Sequence, residues 1–293
     1  MKKISIGLLA GLGLLGVAAS SSAELMYGLT DSSFNLVKYD SSTPGTFTST
    51  AAMTGVVSGQ TLRGIDVNPI TGELYALSTI NSVSNGAGQL YKVNTTTGAL
   101  TAVGSQFTLL TGNTRVSMDF NPVSGQINVV TGSSTNAGTF SFTLNPTTGV
   151  KSSLTNVASG FNPTGIAFTN NTAGATSTQG YIYDYDADQL GTFNPTTGAV
   201  TLLGANGLST FTNTGSQGFD ISGVTGTAYL NLDIGSSLID DLYTANLTTG
   251  ILTKTGSVTV QMLDISAASA VPEPGTIAVL GLGAIALLRR RRK

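Results

Sequence analysis

Aspartate recurs inside short apolar segments of this chain, and its carboxylate could do acid–base or metal chemistry there. Two of these segments are Gly64-Ile-Asp-Val-Asn68 and Met262-Leu-Asp-Ile-Ser266. When the segments are aligned, the matching carboxylates are Asp66, Asp119, Asp220 and Asp264. If the fold brings them together, they could hold a hard cation such as Ca²⁺, or two of them could cleave a glycosidic bond.

A structural role explains the same pattern of aspartates. Each carboxylate could accept backbone N–H groups from a neighbouring turn, and Ala167 interrupts the set in a further copy of the segment. Unpaired like charges in a narrow channel would be costly. We therefore assign no catalytic, cofactor-binding or metal-binding residue, while Ca²⁺ at the four aspartates stays open as an alternative.

A second acidic segment, Asp184-Tyr-Asp-Ala-Asp188, has the carboxylate spacing that opens a calcium-binding loop. The glycine that should follow is absent, and Pro195 stands where such a loop has its glutamate. We expect a strand end that runs into a hairpin, with Ca²⁺ at Asp184, Asp186 and Asp188 as the alternative.

The composition excludes several kinds of site. The chain of 293 residues has no cysteine and no histidine, so the usual zinc sites and Ser-His-Asp or Cys-His nucleophile systems cannot form. Between Glu24 and Pro272 there are 14 acidic and 6 basic residues, a net charge of −8. Because nucleic-acid binding needs clustered Lys and Arg, we expect no nucleic-acid partner.

One turn sequence recurs along the chain between residues 68 and 250. Asparagine opens each copy and glycine closes it, a pattern that favours a tight turn with positive φ at the glycine. The copies are Asn68–Gly72, Asn94–Gly98, Asn121–Gly125, Asn145–Gly149, Asn194–Gly198 and Asn246–Gly250. Alternating apolar residues flank each turn, so each copy predicts a β-hairpin.

Two kinds of hairpin alternate, and one of each makes a four-stranded meander. Complete units cover about residues 62–104, 115–155, 164–204 and 217–256. A partial unit at residues 25–53 lacks its first strand, and Met262–Ser266 can supply it. We therefore predict an all-β fold, a five-bladed β-propeller whose C-terminal strand closes the ring. A six-bladed propeller, a β-solenoid and a pair of sandwiches are the alternatives.

The N-terminus has the features of a secretory signal peptide, residues 1–23. Lys2 and Lys3 precede an apolar run, and small residues, the last of them Ala23, mark a cleavage site before Glu24. The predicted propeller domain, residues 24–267, is then exported.

The C-terminal segment, residues 268–293, combines Val271-Pro-Glu-Pro-Gly275, an apolar run at Ile277–Leu288 and Arg289–Lys293. The run of 12 residues spans roughly 18 Å as a helix, short of the ~30 Å hydrocarbon core. The basic cluster would hold that end in the cytoplasm.

This three-part arrangement resembles the PEP-CTERM sorting signal of Gram-negative bacteria. The resemblance implies that an exosortase recognises and cleaves the chain near Pro272, Glu273 and Pro274. It also implies that the arginines at Arg289, Arg290, Arg291 and Arg292 belong to the signal. A membrane-anchored precursor and then a cell-surface or extracellular-matrix protein, in species that make exopolysaccharide and biofilm, would follow.

Leu25-Met-Tyr-Gly-Leu-Thr-Asp31 and Gly72-Glu-Leu-Tyr-Ala-Leu77 resemble an uncharacterised family of secreted bacterial repeat domains. Together these features predict a non-enzymatic structural or binding module. Its expected partners are the exosortase, transiently the inner membrane, and exopolysaccharide or other matrix proteins. The alternative function is a carboxylate-dependent polysaccharide hydrolase or lyase on the same scaffold.

Overall fold

Five four-stranded antiparallel sheets make a five-bladed β-propeller. The computed structural model describes residues 23–80, 86–109, 113–133, 138–208, 217–234 and 239–268. Within these ranges there are 20 β-strands and no helix, so no described segment is a long apolar helix that could cross a membrane. The predicted all-β class and the number of blades are confirmed.

Blades 2 to 5 are continuous meanders, each running from an inner to an outer strand. Blade 2 contains β4 (Thr61–Val67), β5 (Leu74–Thr79), β6 (Gly86–Val93) and β7 (Leu100–Leu109). Blade 3 contains β8 (Asn113–Phe120), β9 (Ile127–Ser133), β10 (Phe140–Leu144) and β11 (Thr155–Asn156). Blade 4 contains β12 (Pro163–Phe168), β13 (Gly180–Asp184), β14 (Gln189–Phe193) and β15 (Val200–Leu202). Blade 5 contains β16 (Phe219–Ile221), β17 (Ala228–Leu232), β18 (Asp241–Ala245) and β19 (Leu252–Ser257).

Blade 1 joins the two ends of the domain. It contains β1 (Leu25–Thr30), β2 (Asn35–Asp40), β3 (Phe47–Ala52) and, as its inner strand, β20 (Met262–Ala267). Strand β20 pairs antiparallel with β1, with Gly28 opposite Ile265. The inner strands contact one another in the order β20, β4, β8, β12, β16 and back to β20. The predicted closure of the ring by the C-terminal strand is therefore confirmed.

The repeated Asn–Gly turns have the predicted geometry. In the first, the Gly72 N–H donates to the Asn68 carbonyl at 2.8 Å, and Asn68 Oδ1 accepts the N–H of Ile70 at 2.8 Å. Gly72 has a φ of 71°, a conformation that glycine adopts without steric cost. In the first hairpin of blade 5, Ser222 takes the place of asparagine, and its hydroxyl accepts the N–H of Val224 at 3.0 Å.

The core consists of five apolar clusters, each formed mainly where one blade packs on the next. The cluster between blades 1 and 2 includes Ile65 and Val67 of β4 together with Leu29 and Leu263. Side chains alternate across a strand, so Asp66 points away from that cluster toward blade 3. This alternation decides where the inner-strand aspartates can reach.

Candidate functional site

Equivalent inner-strand positions can be identified from the backbone hydrogen bond that joins the C-terminal end of each inner strand to the second strand of its blade. The donors of that bond are the N–H groups of Asn68, Asn121, Thr169, Ser222 and Ala268. The residues two positions earlier form a set that we call the inner ring. Its members are Asp66, Asp119, Ala167, Asp220 and Ser266.

Asp264 does not belong to the inner ring, so the sequence alignment of Asp264 with Asp66 is wrong. Ser266 pairs with Tyr27 of β1, as Asp66 pairs with Tyr75 of β5. Asp264 therefore occupies the position of Gly64, two residues earlier along the strand. A shift of two residues keeps every side chain on the same face, which is why the sequence pattern did not reveal it.

Three inner-ring side chains each link their own blade to the next one. The Phe120 N–H of blade 3 donates to Asp66 Oδ2 at 2.7 Å. The Val67 N–H of blade 2 donates to the Ser266 hydroxyl at 3.1 Å, and the Ala267 N–H of blade 1 donates to Asp220. In all three cases the donor is the residue that follows the ring position of the next blade.

A second tier repeats this link two residues earlier. The Ile65 N–H donates to Asp264 Oδ2 at 2.9 Å, and the Ile265 N–H donates to Asp264 Oδ1 at 3.0 Å. Ser117 in blade 3 accepts the Ile166 N–H of blade 4 at 3.2 Å. The expected backbone hydrogen bonds are thus present at Asp66, Asp220 and Asp264, but the cross-blade donors lie on neighbouring inner strands, not in turns.

Three inner-ring carboxylates converge. Asp66, Asp119 and Asp220 each place one oxygen within 4.8 Å of the others, and each residue is only 1% exposed. Oδ1 of Asp119 and Oδ1 of Asp220 have no hydrogen-bond partner among the described residues. We call these three residues the central carboxylates.

Burial and mutual repulsion oppose ionisation of the central carboxylates. Burial, followed by the charges of Asp66, Asp220 and Asp264, raises the pKa of Asp119 well above its ordinary value. Burial, followed by the charge of Asp220, raises the pKa of Asp66. Burial also raises the pKa of Asp220, against the opposing effect of the Ala267 N–H. Either protons or a cation must therefore offset the negative charge at this site.

Carboxylates of the acidic segment Asp184–Asp188 make hydrogen bonds within blade 4. Asp184 accepts the N–H of Ala187 at 2.7 Å and the N–H of Asn162 at 2.6 Å. Asp186 accepts a hydrogen bond from the Asn162 side chain at 3.3 Å. Asp188 adopts a φ of 51°, and burial with the charges of Asp184 and Asp186 raises its pKa to about 6. Among described residues, the group of carboxylates close enough to share a metal ion is the central one.

A groove lies beside this segment, between the outer edge of blade 3 and the chain that enters blade 4. Its volume is about 720 Å³. We call it the aromatic groove, because Phe140 and Phe161 line it together with Asn156, Asn162 and Asp186. The guanidinium of Arg115 stacks on the Tyr185 ring next to Asp186, at 3.8 Å from the centroid.

The aromatic groove was not predicted from the sequence. Phe161 in the short connection between blades 3 and 4 was the available signal, because an aromatic residue outside the strands needs a packing or binding reason. The groove itself depends on contacts between segments distant along the chain.

The predicted processing residues lie mostly outside the described ranges. Residues 1–22 and the whole sorting segment from Val271 to Lys293, including Pro272–Pro274 and Arg289–Arg292, are not among them. Ala23 is exposed, whereas Glu24 is buried. The Glu24 carboxylate accepts a hydrogen bond from Ser222 at 2.9 Å, so the residue that follows the predicted cleavage site packs against blade 5.

Comparison with solved structures finds matches of low identity. A protein of unknown function from Bacteroides caccae has 10% identity and a TM-score of 0.42, covering 79% of this chain and 72% of that one. A chain of the nidogen/laminin complex has 12% identity and a TM-score of 0.45, covering 84% and 98%. TolB from Acinetobacter baumannii has 13% identity and a TM-score of 0.44, covering 80% and 52%. No curated protein matches the chain.

Family models account for nearly all of the sequence after the first blade begins. The model of a domain of unknown function, DUF4394, matches residues 35–266. The PEP-CTERM protein-sorting motif matches residues 270–293, so the chain is an exported protein that is anchored through its C-terminus until an exosortase processes it. This chain belongs to the DUF4394 family and carries a PEP-CTERM sorting signal.

Proposed function

We propose that the protein is a non-enzymatic binding module of the cell surface or extracellular matrix, which holds an exopolysaccharide chain in the aromatic groove. The observation that carries this proposal is the groove, which combines two aromatic walls with amide side chains. Removal of residues 1–23 and export from a Gram-negative cell belong to the same proposal.

The groove has the chemistry of a site for a weakly charged polymer. Phe140 and Phe161 are half-buried and offer apolar surface to the C–H face of a sugar ring. The exposed side-chain amide of Asn156 supplies both a donor and an acceptor for hydroxyl groups. Binding sites commonly combine apolar walls with a few directional polar groups in this way.

The burial of the inner-strand aspartates supports a role without catalysis. Asp66, Asp119, Asp220 and Asp264 are each 1% exposed, so a polysaccharide chain cannot reach them in this conformation. Glycoside cleavage requires two carboxyl groups that flank the bond. Among the residues lining the groove, Asp186 is the one carboxylate.

A glycan array and retention on purified matrix polysaccharide test the groove. Replacing Phe161 by Ala should weaken binding at least about tenfold, the change that ~1.4 kcal/mol produces. Phe47→Ala is the matched control, because Phe47 is a half-buried aromatic on the outer strand of blade 1. Equal binding by the two variants would refute the aromatic groove as the polysaccharide-binding site. Failure of the polysaccharide to retain the wild type would refute it as well. Release of new reducing ends from polysaccharide would instead favour the hydrolase.

Mass spectrometry of the exported protein tests the sorting step separately. We expect the mature C-terminus close to Pro272–Pro274. An intact Arg289–Lys293 tail on the mature protein would mean permanent anchoring and contradict processing by an exosortase.

A further inference from the structure

We propose that the centre of the propeller binds one hard divalent cation, with Ca²⁺ as its occupant, through the carboxylates of Asp66, Asp119 and Asp220. The site belongs to the ring of inner strands and does not depend on the aromatic groove. Its role is to hold blades 2, 3 and 5 together at the propeller centre.

The geometry suits an ion bound at the propeller centre. The three ligands occupy the same position in their blades, and one oxygen of each lies within 4.8 Å of the others. Oxygen ligands lie 2.3–2.6 Å from Ca²⁺, so two ligands on opposite sides are about 5 Å apart. Three oxygens of this spread can therefore contact one ion.

Two buried oxygens independently indicate a missing partner. Oδ1 of Asp119 and Oδ1 of Asp220 accept no hydrogen bond from an N–H or hydroxyl group of the described residues, although both residues are 1% exposed, and the two carboxylates lie within hydrogen-bonding reach of each other. A buried polar atom without a partner is costly, and native proteins keep few of them. By contrast, Asp264 uses both of its oxygens on backbone N–H groups.

The two remaining inner-ring residues carry no positive charge that could neutralise the central carboxylates. Ala167 offers no polar atom, and the Ser266 hydroxyl already donates to Asp66 Oδ1 at 2.8 Å. Carboxylates and hydroxyls are hard oxygen ligands, which favour Ca²⁺, Mg²⁺ or Mn²⁺ over softer metals. Ca²⁺ tolerates irregular coordination, whereas Mg²⁺ demands a near-ideal octahedron, so an asymmetric ring of three carboxylates favours Ca²⁺.

The rival explanation is that protons, and not a cation, neutralise the central carboxylates. The two explanations differ in what Ca²⁺ does to the protein. The test uses the exported protein, treated with chelator and returned to neutral pH. Ca²⁺ is then titrated by calorimetry, thermal unfolding is followed with and without Ca²⁺, and bound metal is counted by elemental analysis.

We expect one Ca²⁺ per chain in the wild type and a rise in Tm on its addition. Asp119→Asn should weaken Ca²⁺ binding at least about tenfold, since even changes around the ligands of a metal cost 10–100-fold. Without Ca²⁺, Asp119→Asn should be at least as stable as the wild type, because it removes a buried unpaired charge. With Ca²⁺, the order of the two Tm values should reverse.

Asp264→Asn is the matched control. It removes the same charge from a residue of equal burial on an inner strand, but its oxygens are already satisfied. This variant should lose stability and still bind one Ca²⁺. Wild-type protein that binds no Ca²⁺ at millimolar concentration would overturn the proposal in favour of protons, whatever the variants do. Wild-type affinity in Asp119→Asn, or selective binding of Mg²⁺, would also overturn it.

Discussion

Replacing Ile265 by Ala tests whether β20 carries the closure of the ring. Ile265 is 1% exposed and packs with Met26, Val37 and Leu242 in the cluster between blades 5 and 1. It also lies opposite Gly28 in the pairing of β20 with β1. The side chain is therefore held by strands from both ends of the domain.

The cost of this substitution follows from the cavity that it leaves. Truncating a buried Ile to Ala lowers the free energy of unfolding by about 2–5 kcal/mol. For a domain of this size, each kcal/mol lowers Tm by about 2–4 °C. The expected fall in Tm is thus roughly 4–20 °C, and the upper half is expected because β20 has partners on both sides and the site cannot easily collapse.

Urea and thermal unfolding of the exported protein measure this loss, with Ca²⁺ fixed at one concentration because a bound ligand shifts stability. Ile251→Ala is the matched control, since Ile251 is 50% exposed and should change stability by no more than about 0.5 kcal/mol. Equal Tm values for the two variants would refute the closure of the ring by β20. A soluble, cooperatively melting protein that lacks residues 260–266 would refute it as well.

Two further predictions concern a turn and a buried acid. Gly198 and Gly226 both have a φ of 73°. A Cβ added at Gly198 would collide with the Asn156 carbonyl oxygen, whereas a Cβ added at Gly226 would have no atom within 4 Å. Gly226→Ala should lower the free energy of unfolding in urea by about 1–2 kcal/mol, and Gly198→Ala should lower it by more. Equal losses for the two variants would contradict the close approach of Gly198 to the Asn156 carbonyl oxygen. Burial raises the pKa of Asp240 from 3.8 to about 7, so its protonated form favours the fold, a contribution present below pH 3.8 and lost as pH rises through 7. Asp240→Asn cannot ionise, so between about pH 4 and 7 its stability should fall less than that of the wild type, and parallel curves of stability against pH would contradict this.

The sequence was sufficient for the fold because the determinants of each hairpin are local. In the turn at Asn94–Gly98, the Asn94 side chain accepts the N–H groups of Thr96 and Thr97, both at 3.0 Å. All of these groups lie within five consecutive residues, so their order in the chain predicts the turn. Counting such turns predicts the strands, and the missing first strand at the N-terminus predicts the closure by β20.

The aromatic groove could not be predicted in this way. Phe140 ends up beside Phe161 because β10 and β11 form the outer part of blade 3 and the connection to blade 4 passes next to them. Their separation along the chain carries no periodic signal. Only the packing of two successive blades places the aromatic rings and the amides along one groove.

The composition of the central site also depends on register that the sequence leaves ambiguous. Moving Asp264 out of the inner ring by two residues preserves the alternation of faces, yet it changes the chemistry. In its actual position Asp264 accepts the N–H groups of Ile65 and Ile265, so both of its oxygens have hydrogen-bond partners, although burial still raises its pKa. Asp119 retains an oxygen without a donor. Aspartates therefore fasten neighbouring blades in both tiers, but the inner ring also leaves carboxylate oxygens without a donor, and the strand register determines which aspartate occupies which tier.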